Sequence, residues 1–223
     1  METEDITPLD ILNAYCNGYF PMAHSPSAAA DEVHWYDPPQ RGIIPIADFH
    51  LPRSLKRAVL KGGYTVTINH DFAGVIAACA ACSGKGREET WINPVIRDWF
   101  LELHGLGFAH SVEYRADGVL MGGLYGLCIG GAFFGESMFS RTQNASKIAL
   151  VHLVARLYNR GFFLLDSQFV NDHLVQFGCH EIPREDYLER LTKAIQMPLR
   201  FVDARHEKIT LNTGDLIDFL SRP

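Results

Sequence analysis

The sequence predicts an α+β protein built on a mixed, mainly antiparallel sheet. Three observations carry this. Apolar residues recur at helical spacing in several capped segments, two alternating runs flank Ala116-Asp117-Gly118, and a short apolar run, FFLLDSQ, follows a long helical one. The chain has 223 residues, 47% hydrophobic and 21% charged, as in an ordinary globular protein. At this size roughly 70% of the unfolded surface can be buried. That excludes a disordered chain, a collagen-like fibre and a disulfide miniprotein. The formal net charge of −6 excludes a chain that is basic all over but leaves room for a local basic patch.

Thr7-Pro8-Leu9-Asp10 is a helix start, with a hydroxyl N-cap, proline at the first helical position and an acid near the positive helix end. Ile11, Leu12, Tyr15 and Tyr19 then fall near one face, and Asn17-Gly18 stops the helix. Pro21, Pro26, Pro38 and Pro39 predict that residues 20–42 are mostly loop. GIIPI is a short strand, and Pro45 marks it as an edge. Arg53 to Lys61 is a basic helix whose Arg53, Lys56, Arg57 and Lys61 share a face. Counted with Arg41, they form the one strong basic cluster of an acidic chain, although such a face is ordinarily only solvated. Gly62-Gly63 ends that helix, YTVTI alternates as a strand, and GVIAACAAC is a helical run.

Asn93 caps and Pro94 opens a helix whose apolar residues are Val95, Ile96, Trp99, Phe100, Leu103 and Leu106. FAHSVEYR and VLMGGLYGL form a hairpin, and GGAFFGESMF adds a third antiparallel strand. Asn144 caps a long helix with Ile148, Leu150, Val151, Val154 and Leu157 inward, which Gly161 closes. FFLLDSQ is a buried strand, residues 184–196 are a helix and LRFV is a last strand. No internal repeat is present.

Five cysteines at irregular spacing fit a reducing compartment better than a disulfide framework. Cys79-Ala-Ala-Cys82 has no second C-x-x-C or H-x-x-x-H at finger spacing, so it is read as ordinary thiols and no metal is expected. The acidic N-terminus is no signal peptide, and the uncharged stretch from Gly118 to Gly135 is broken by seven glycines into β-like pieces. No membrane span is therefore expected, and the cytoplasm is the default.

Several polar residues stand where chemistry is possible. Asp166 and Gln168, two apart on an apolar strand, are predicted to share a face. A carboxylate and an amide on a buried strand need partners or a purpose, either as a turn pair at the strand's end or as a charge-supported amide that positions a reactant. Glu136 lies in GESMFS, where strand runs into loop, and Asn144-Ala-Ser-Lys starts the next helix. Ser137 lacks the G-x-S-x-G frame of a hydrolase nucleophile. Trp35 and Trp91 lie in polar, proline-containing segments. Most tryptophans pack, and some stack on bases, worth about 1–3 kcal/mol per base.

Taken together, AYCNGYFPM, HWYDPPQRGIIP, the EETWI segment before Asn93, GGLYGL, GESMFSRTQNASKIAL and LLDSQFVNDHL closely resemble the leucyl/phenylalanyl-tRNA–protein transferases, bacterial aminoacyl-transferases of the N-end rule pathway. The resemblance implies a small N-terminal domain, residues 1–52, and a GNAT-like acyltransferase domain, residues 53–223. A three-strand meander followed by helix and strand suits such a fold. It implies an aminoacyl-tRNA donor carrying Leu or Phe, acceptor proteins beginning with Arg or Lys, no cofactor, and a monomer. The R/Q-x-x-G-x-G/A loop of a CoA enzyme is missing, since Val119-Leu120 follow Arg115-Ala116-Asp117-Gly118.

The same resemblance implies that Gln168 orients the incoming amine, that Asp166 polarises Gln168, and that Glu136 holds the aminoacyl end or the substrate amine. Leu124, Met138, Leu150, Leu153 and Leu165 are implied as the aminoacyl pocket. Simple alternation puts Leu165 opposite Asp166, so either the strand bulges or the pocket wraps around it. Since one methylene gives about 1–3 kcal/mol of discrimination, Leu, Phe and also Met are expected donors. Trp91 and Trp35 are implied at the terminal adenosine, and the face of Arg53, Lys56, Arg57 and Lys61 under tRNA phosphates.

Departures from the family pattern are the absence of a GGDL-like lead-in before Thr7, Ser167 in place of Cys, and Phe100 in place of Tyr. Alternatives left open are acidic N-termini as acceptors, another acyl donor on the same fold, and a non-catalytic tRNA-binding protein.

Overall fold

The computed structural model describes residues 6–23, 33–81, 90–211, 216 and 219–220. In chain order the elements are α1 (Pro8–Cys16), β1 (Phe20–Ala23), β2 (Val33–Tyr36), β3 (Gln40–Ile43), α2 (Arg53–Lys61), β4 (Thr65–Ile68), α3 (Phe72–Ala80), α4 (Pro94–Leu106), β5 (Ala109–Ala116), β6 (Val119–Ile129), β7 (Ala132–Ser140), α5 (Ala145–Asn159), β8 (Leu164–Gln168), α6 (Asp172–Val175), β9 (His180–Pro183), α7 (Arg184–Ile195) and β10 (Ile209–Leu211). Eight strands form one sheet in the order β10-β4-β5-β6-β7-β8-β3-β9, and β1 pairs separately with β2. All neighbours in the large sheet are antiparallel except β7 and β8. Parallel neighbours cannot be joined by a hairpin, and here the chain crosses through α5.

Local chemistry explains most boundaries. The Thr7 side chain accepts from the Asp10 N–H, and Asp10 accepts from the Thr7 N–H, a reciprocal cap that satisfies two orphan donors. Asn93 Oδ1 accepts from the Ile96 N–H at 2.8 Å, Pro94 opens α4, and left-handed Gly107 ends it. Asp117 and Gly118 both have positive φ, as a two-residue hairpin of this kind needs. Apolar residues of α2 and α5 cover one face of the sheet, and those of α1, α3, α4 and α7 cover the other. Helix α5 is buried almost all round because it lies between the sheet and α2. Each fully buried Leu, Ile or Val there contributes about 1.5–3 kcal/mol.

Several expectations need correction. Residues 20–42 are not mostly loop, because β1, β2 and β3 lie within them; prolines at strand ends and on a two-stranded ribbon leave pairing possible. The strand predicted as an edge is β3, which pairs on both sides with β8 and β9, while Pro45 falls beyond its end. LRFV is no strand. Phe201 and Val202 are buried in a turn whose carbonyl at Phe201 accepts from the Arg156 guanidinium, and the last strand is β10 instead. Strand β9 was not anticipated, because HEIP carries no apolar alternation. Asn144 precedes α5 with φ 65° and makes no side-chain cap. Its left-handed backbone turns the side chain away, and Ser140 Oγ accepts from the Ser146 N–H in its place.

Candidate active site

The site grows out of the point where β7 and β8 part. The two run side by side only over Ala132–Phe134 and Leu164–Asp166. Beyond it β7 stays with β6, placing Met138 opposite Leu124, and β8 stays with β3, placing Gln168 opposite Gly42. A cavity of about 590 Å³ opens between them and the start of α5. Leu124, Met138, Leu150, Leu153 and Leu165 all line it, together with Glu136 and Asp166. Leu165 belongs to the core under α5, on the side of β8 away from the Asp166 carboxylate network described below, and the β3–β8 register shifts between the Gly42–Gln168 and Ile43–Asp166 pairs.

Behind the cavity lies a buried ion pair that sequence reasoning missed. Asp166 is 0% exposed and Arg41 1% exposed. Arg41 Nε donates to both carboxylate oxygens, at 3.0 and 3.1 Å, and Nη2 donates to Oδ2 at 2.7 Å. The Tyr187 hydroxyl donates to the same Oδ2 at 2.7 Å. Arg41 Nη1 donates to the Gly18 carbonyl at 2.8 Å, and the guanidinium lies 4.5 Å from the ring centroids of both Phe20 and Tyr187. Burial works against the Arg41 charge, but the Asp166 carboxylate outweighs it and holds the guanidinium above its ordinary value. The basic cluster anticipated around residues 41–61 therefore loses Arg41, which is spent on Asp166.

Gln168 differs from the expectation of a shared face. Its φ is 59°, in the left-handed region that a non-glycine residue rarely adopts, so strand alternation stops there. Its backbone N–H donates to Asp166 Oδ1 at 2.8 Å. Asp166 thus holds the Gln168 backbone, not its side-chain amide. Gln168 Nε2 is buried with no hydrogen-bond partner among the described residues.

Half-buried Glu136 accepts from the Tyr15 hydroxyl at 2.8 Å, tying α1 to β7. Burial pushes the Glu136 carboxyl up to about 8, with Asp166 adding to the rise and the Tyr15 hydrogen bond and Arg41 opposing it. Because this value is raised, its stabilising contribution is complete below the ordinary 4.5 and is lost as pH climbs through about 8. Glu136→Gln is expected to flatten the fall in stability across that window, followed as the denaturant midpoint against pH. A slope equal to that of the unmodified protein would show that the carboxyl is not raised.

The remaining predicted residues lie elsewhere. The Trp35 ring stacks on Trp99 with centroids 6.1 Å apart, and the Trp91 carbonyl accepts from the Ala23 N–H. Both pack on the α1, α3 and α4 side, and neither lines the cavity. Arg53, Arg57 and Lys61 are exposed on α2, on the opposite face of the sheet, and Lys56 Nζ donates to the Leu220 carbonyl. The structure therefore does not bring the tryptophans and the basic helix together. Cys16, Cys79, Cys128 and Cys179 are in no disulfide, and Cys82 lies outside the described residues. Among the described residues no group of His, Cys, Asp or Glu could hold a metal, and no helix is long and apolar enough to cross a membrane. Arg41 had one signal in the sequence, a charge beside the apolar run GIIPI; Tyr15 and Tyr187 had only their inward helical positions.

An apolar pocket that ends on buried polar groups can grip an apolar side chain while a neighbouring carbonyl group reacts, which is the layout of an acyl-transfer enzyme. Comparison with known proteins is specific. The family described as leucyl/phenylalanyl-tRNA protein transferase matches residues 43–192, and its N-terminal domain matches residues 4–39. The leucyl/phenylalanyl-tRNA–protein transferase of Phenylobacterium zucineum is 54% identical over 86% of this chain and 86% of its own. That of Rhodopseudomonas palustris is 52% identical over 86% and 84%, and that of Cereibacter sphaeroides is 50% identical over 85% and 86%. Among solved structures, L-PGS from Bacillus licheniformis is similar at a TM-score of 0.41 and 12% identity over 75% of this chain and 55% of that one, too distant to assign a fold family. The chain is an aminoacyltransferase. It belongs to the leucyl/phenylalanyl-tRNA–protein transferase family.

Proposed function

We propose that this chain transfers Leu or Phe, and also Met, from aminoacyl-tRNA to the α-amine of proteins beginning with Arg or Lys, marking them for degradation. The observation that supports this best is the cavity of about 590 Å³ whose lining includes Leu124, Met138, Leu150, Leu153 and Leu165 together with Glu136 and Asp166. An aminoacyl ester is already activated, so the reaction needs no ATP. The neutral amine attacks the ester carbonyl, a C–N bond forms, and the C–O bond to the ribose breaks. The amine's proton leaves with the ribose oxygen, because Asp166 is already committed to Arg41, Tyr187 and the Gln168 N–H. In this reading Gln168 orients the amine through its side-chain amide, and Glu136 holds the α-amine of the donor or of the acceptor. Trp91 and Trp35 contact the terminal adenosine, and Arg53, Lys56, Arg57 and Lys61 lie under more distant phosphates. The same proposal includes a GNAT-like catalytic domain preceded by a small N-terminal domain, a monomer and a cytoplasmic location.

The test is a transfer assay with radiolabelled Leu-tRNA and peptides beginning with Lys, Arg, Asp or Ala. Label on the Lys and Arg peptides alone is the expected result. Label on the Asp peptide would overturn the acceptor assignment, and tRNA binding with no label on any peptide would make the protein a binder. The pocket is tested separately. Leu150→Phe shrinks the cavity and should lower kcat/KM for Phe-tRNA about 10-fold relative to Leu-tRNA. An unchanged ratio would place the aminoacyl side chain elsewhere.

A further inference from the structure

We infer that Arg41 is a positioning residue for transfer: it fixes Asp166 so that Asp166 holds the left-handed turn at Gln168. The inference rests on the reading that Gln168 acts on the reactants. Three facts carry it. Arg41 is the only cation that the described residues place on Asp166, and it presents two donors to that carboxylate from 125 residues away. Asp166 Oδ1, held by that fork, is the acceptor for the Gln168 N–H. Gln168 stands at φ 59° with its amide nitrogen buried and unpartnered, a conformation that persists only where the surroundings impose it.

A buried ion pair is weak evidence for stability in itself, since well-packed apolar residues often serve as well. What apolar residues could not supply is a carboxylate of fixed orientation. The guanidinium is also held by contacts from outside β8. It lies between the Phe20 and Tyr187 rings and donates to the Gly18 carbonyl. The chain just after α1 therefore reaches Gln168 through two side chains. Lysine would keep the charge at this position but not the planar fork.

The test uses the full chain and two readouts. In Arg41→Lys the Gln168 backbone N–H should exchange with solvent about 10-fold faster than in the unmodified protein, at equal global stability. In the transfer assay kcat should fall about 100-fold with KM for Leu-tRNA unchanged. Arg41→Ala should regain activity when guanidinium is added below denaturing concentration, and should not regain it with ammonium at the same ionic strength. Tyr187→Phe, which removes one donor from Asp166 and leaves the ion pair, serves where the Arg41 variants do not fold, and should lower kcat about 10-fold. Unchanged Gln168 exchange in folded Arg41→Lys, or full kcat in it, would overturn the inference. No transfer by the unmodified protein would instead defeat the functional reading, and the exchange measurement would still decide whether Arg41 holds the turn.

Discussion

Asp166→Asn is expected to lose about 100-fold or more in transfer and, separately, about 3–5 kcal/mol of stability. The two losses have different origins. Transfer falls because one amide oxygen replaces two carboxylate oxygens and must then serve the Arg41 guanidinium, the Tyr187 hydroxyl and the Gln168 N–H together. Stability falls because Arg41, 1% exposed, is left as a buried charge with no counter-ion. Asp166→Ala carries the same stability cost, so its loss of activity alone would not separate chemistry from folding. Replacing both partners, as Arg41→Met with Asp166→Leu, removes the uncompensated charge and should recover most of the stability while recovering none of the transfer. Denaturant unfolding and the transfer assay on the same preparations distinguish these, and tRNA binding should survive in every folded variant. Transfer by the double variant at a normal rate would remove Asp166 from the mechanism.

Gly42→Ala is the second large effect. A Cβ at this position would lie 2.6 Å from the Phe169 carbonyl carbon, 2.9 Å from the Val170 nitrogen and 3.0 Å from the Phe169 oxygen. All three are backbone atoms, so relief requires the chain after Gln168 to move. The expected cost is about 1–3 kcal/mol of stability. A displaced Gln168 should also lower kcat by about 100-fold. Gly105→Ala is the control: it lies in α4 with no atom within 4 Å of the added carbon, and should be neutral or stabilise by about 0.5–1 kcal/mol. Near-normal activity in Gly42→Ala would show that the turn tolerates displacement.

Much of the architecture was legible because its causes are local. The Thr7 and Asn93 caps, the Asp117-Gly118 turn, the basic helix at Arg53–Lys61 and the apolar strand ending at Gln168 each depend on residues a few positions apart. The structure brings the five side chains that the family resemblance implies, Leu124, Met138, Leu150, Leu153 and Leu165, to one cavity. Errors arose where a local signal was overruled. Prolines in residues 20–42 suggested loop, yet β3 is held on both sides by strands more than a hundred residues away. LRFV had the composition of a strand, yet its carbonyls serve Arg156 and Arg160.

By itself the sequence determined the main helices, the Thr7 and Asn93 caps, the hairpin and the family. Tertiary structure alone decided that Arg41 belongs to Asp166 and not to a basic patch, that Tyr15 meets Glu136 across 121 positions, and that Gln168 sits in a left-handed turn. The physical reason is the same in each case. Periodicity and capping act within a turn or two of chain, whereas the partner of a buried charge is chosen by how strands order themselves in the sheet.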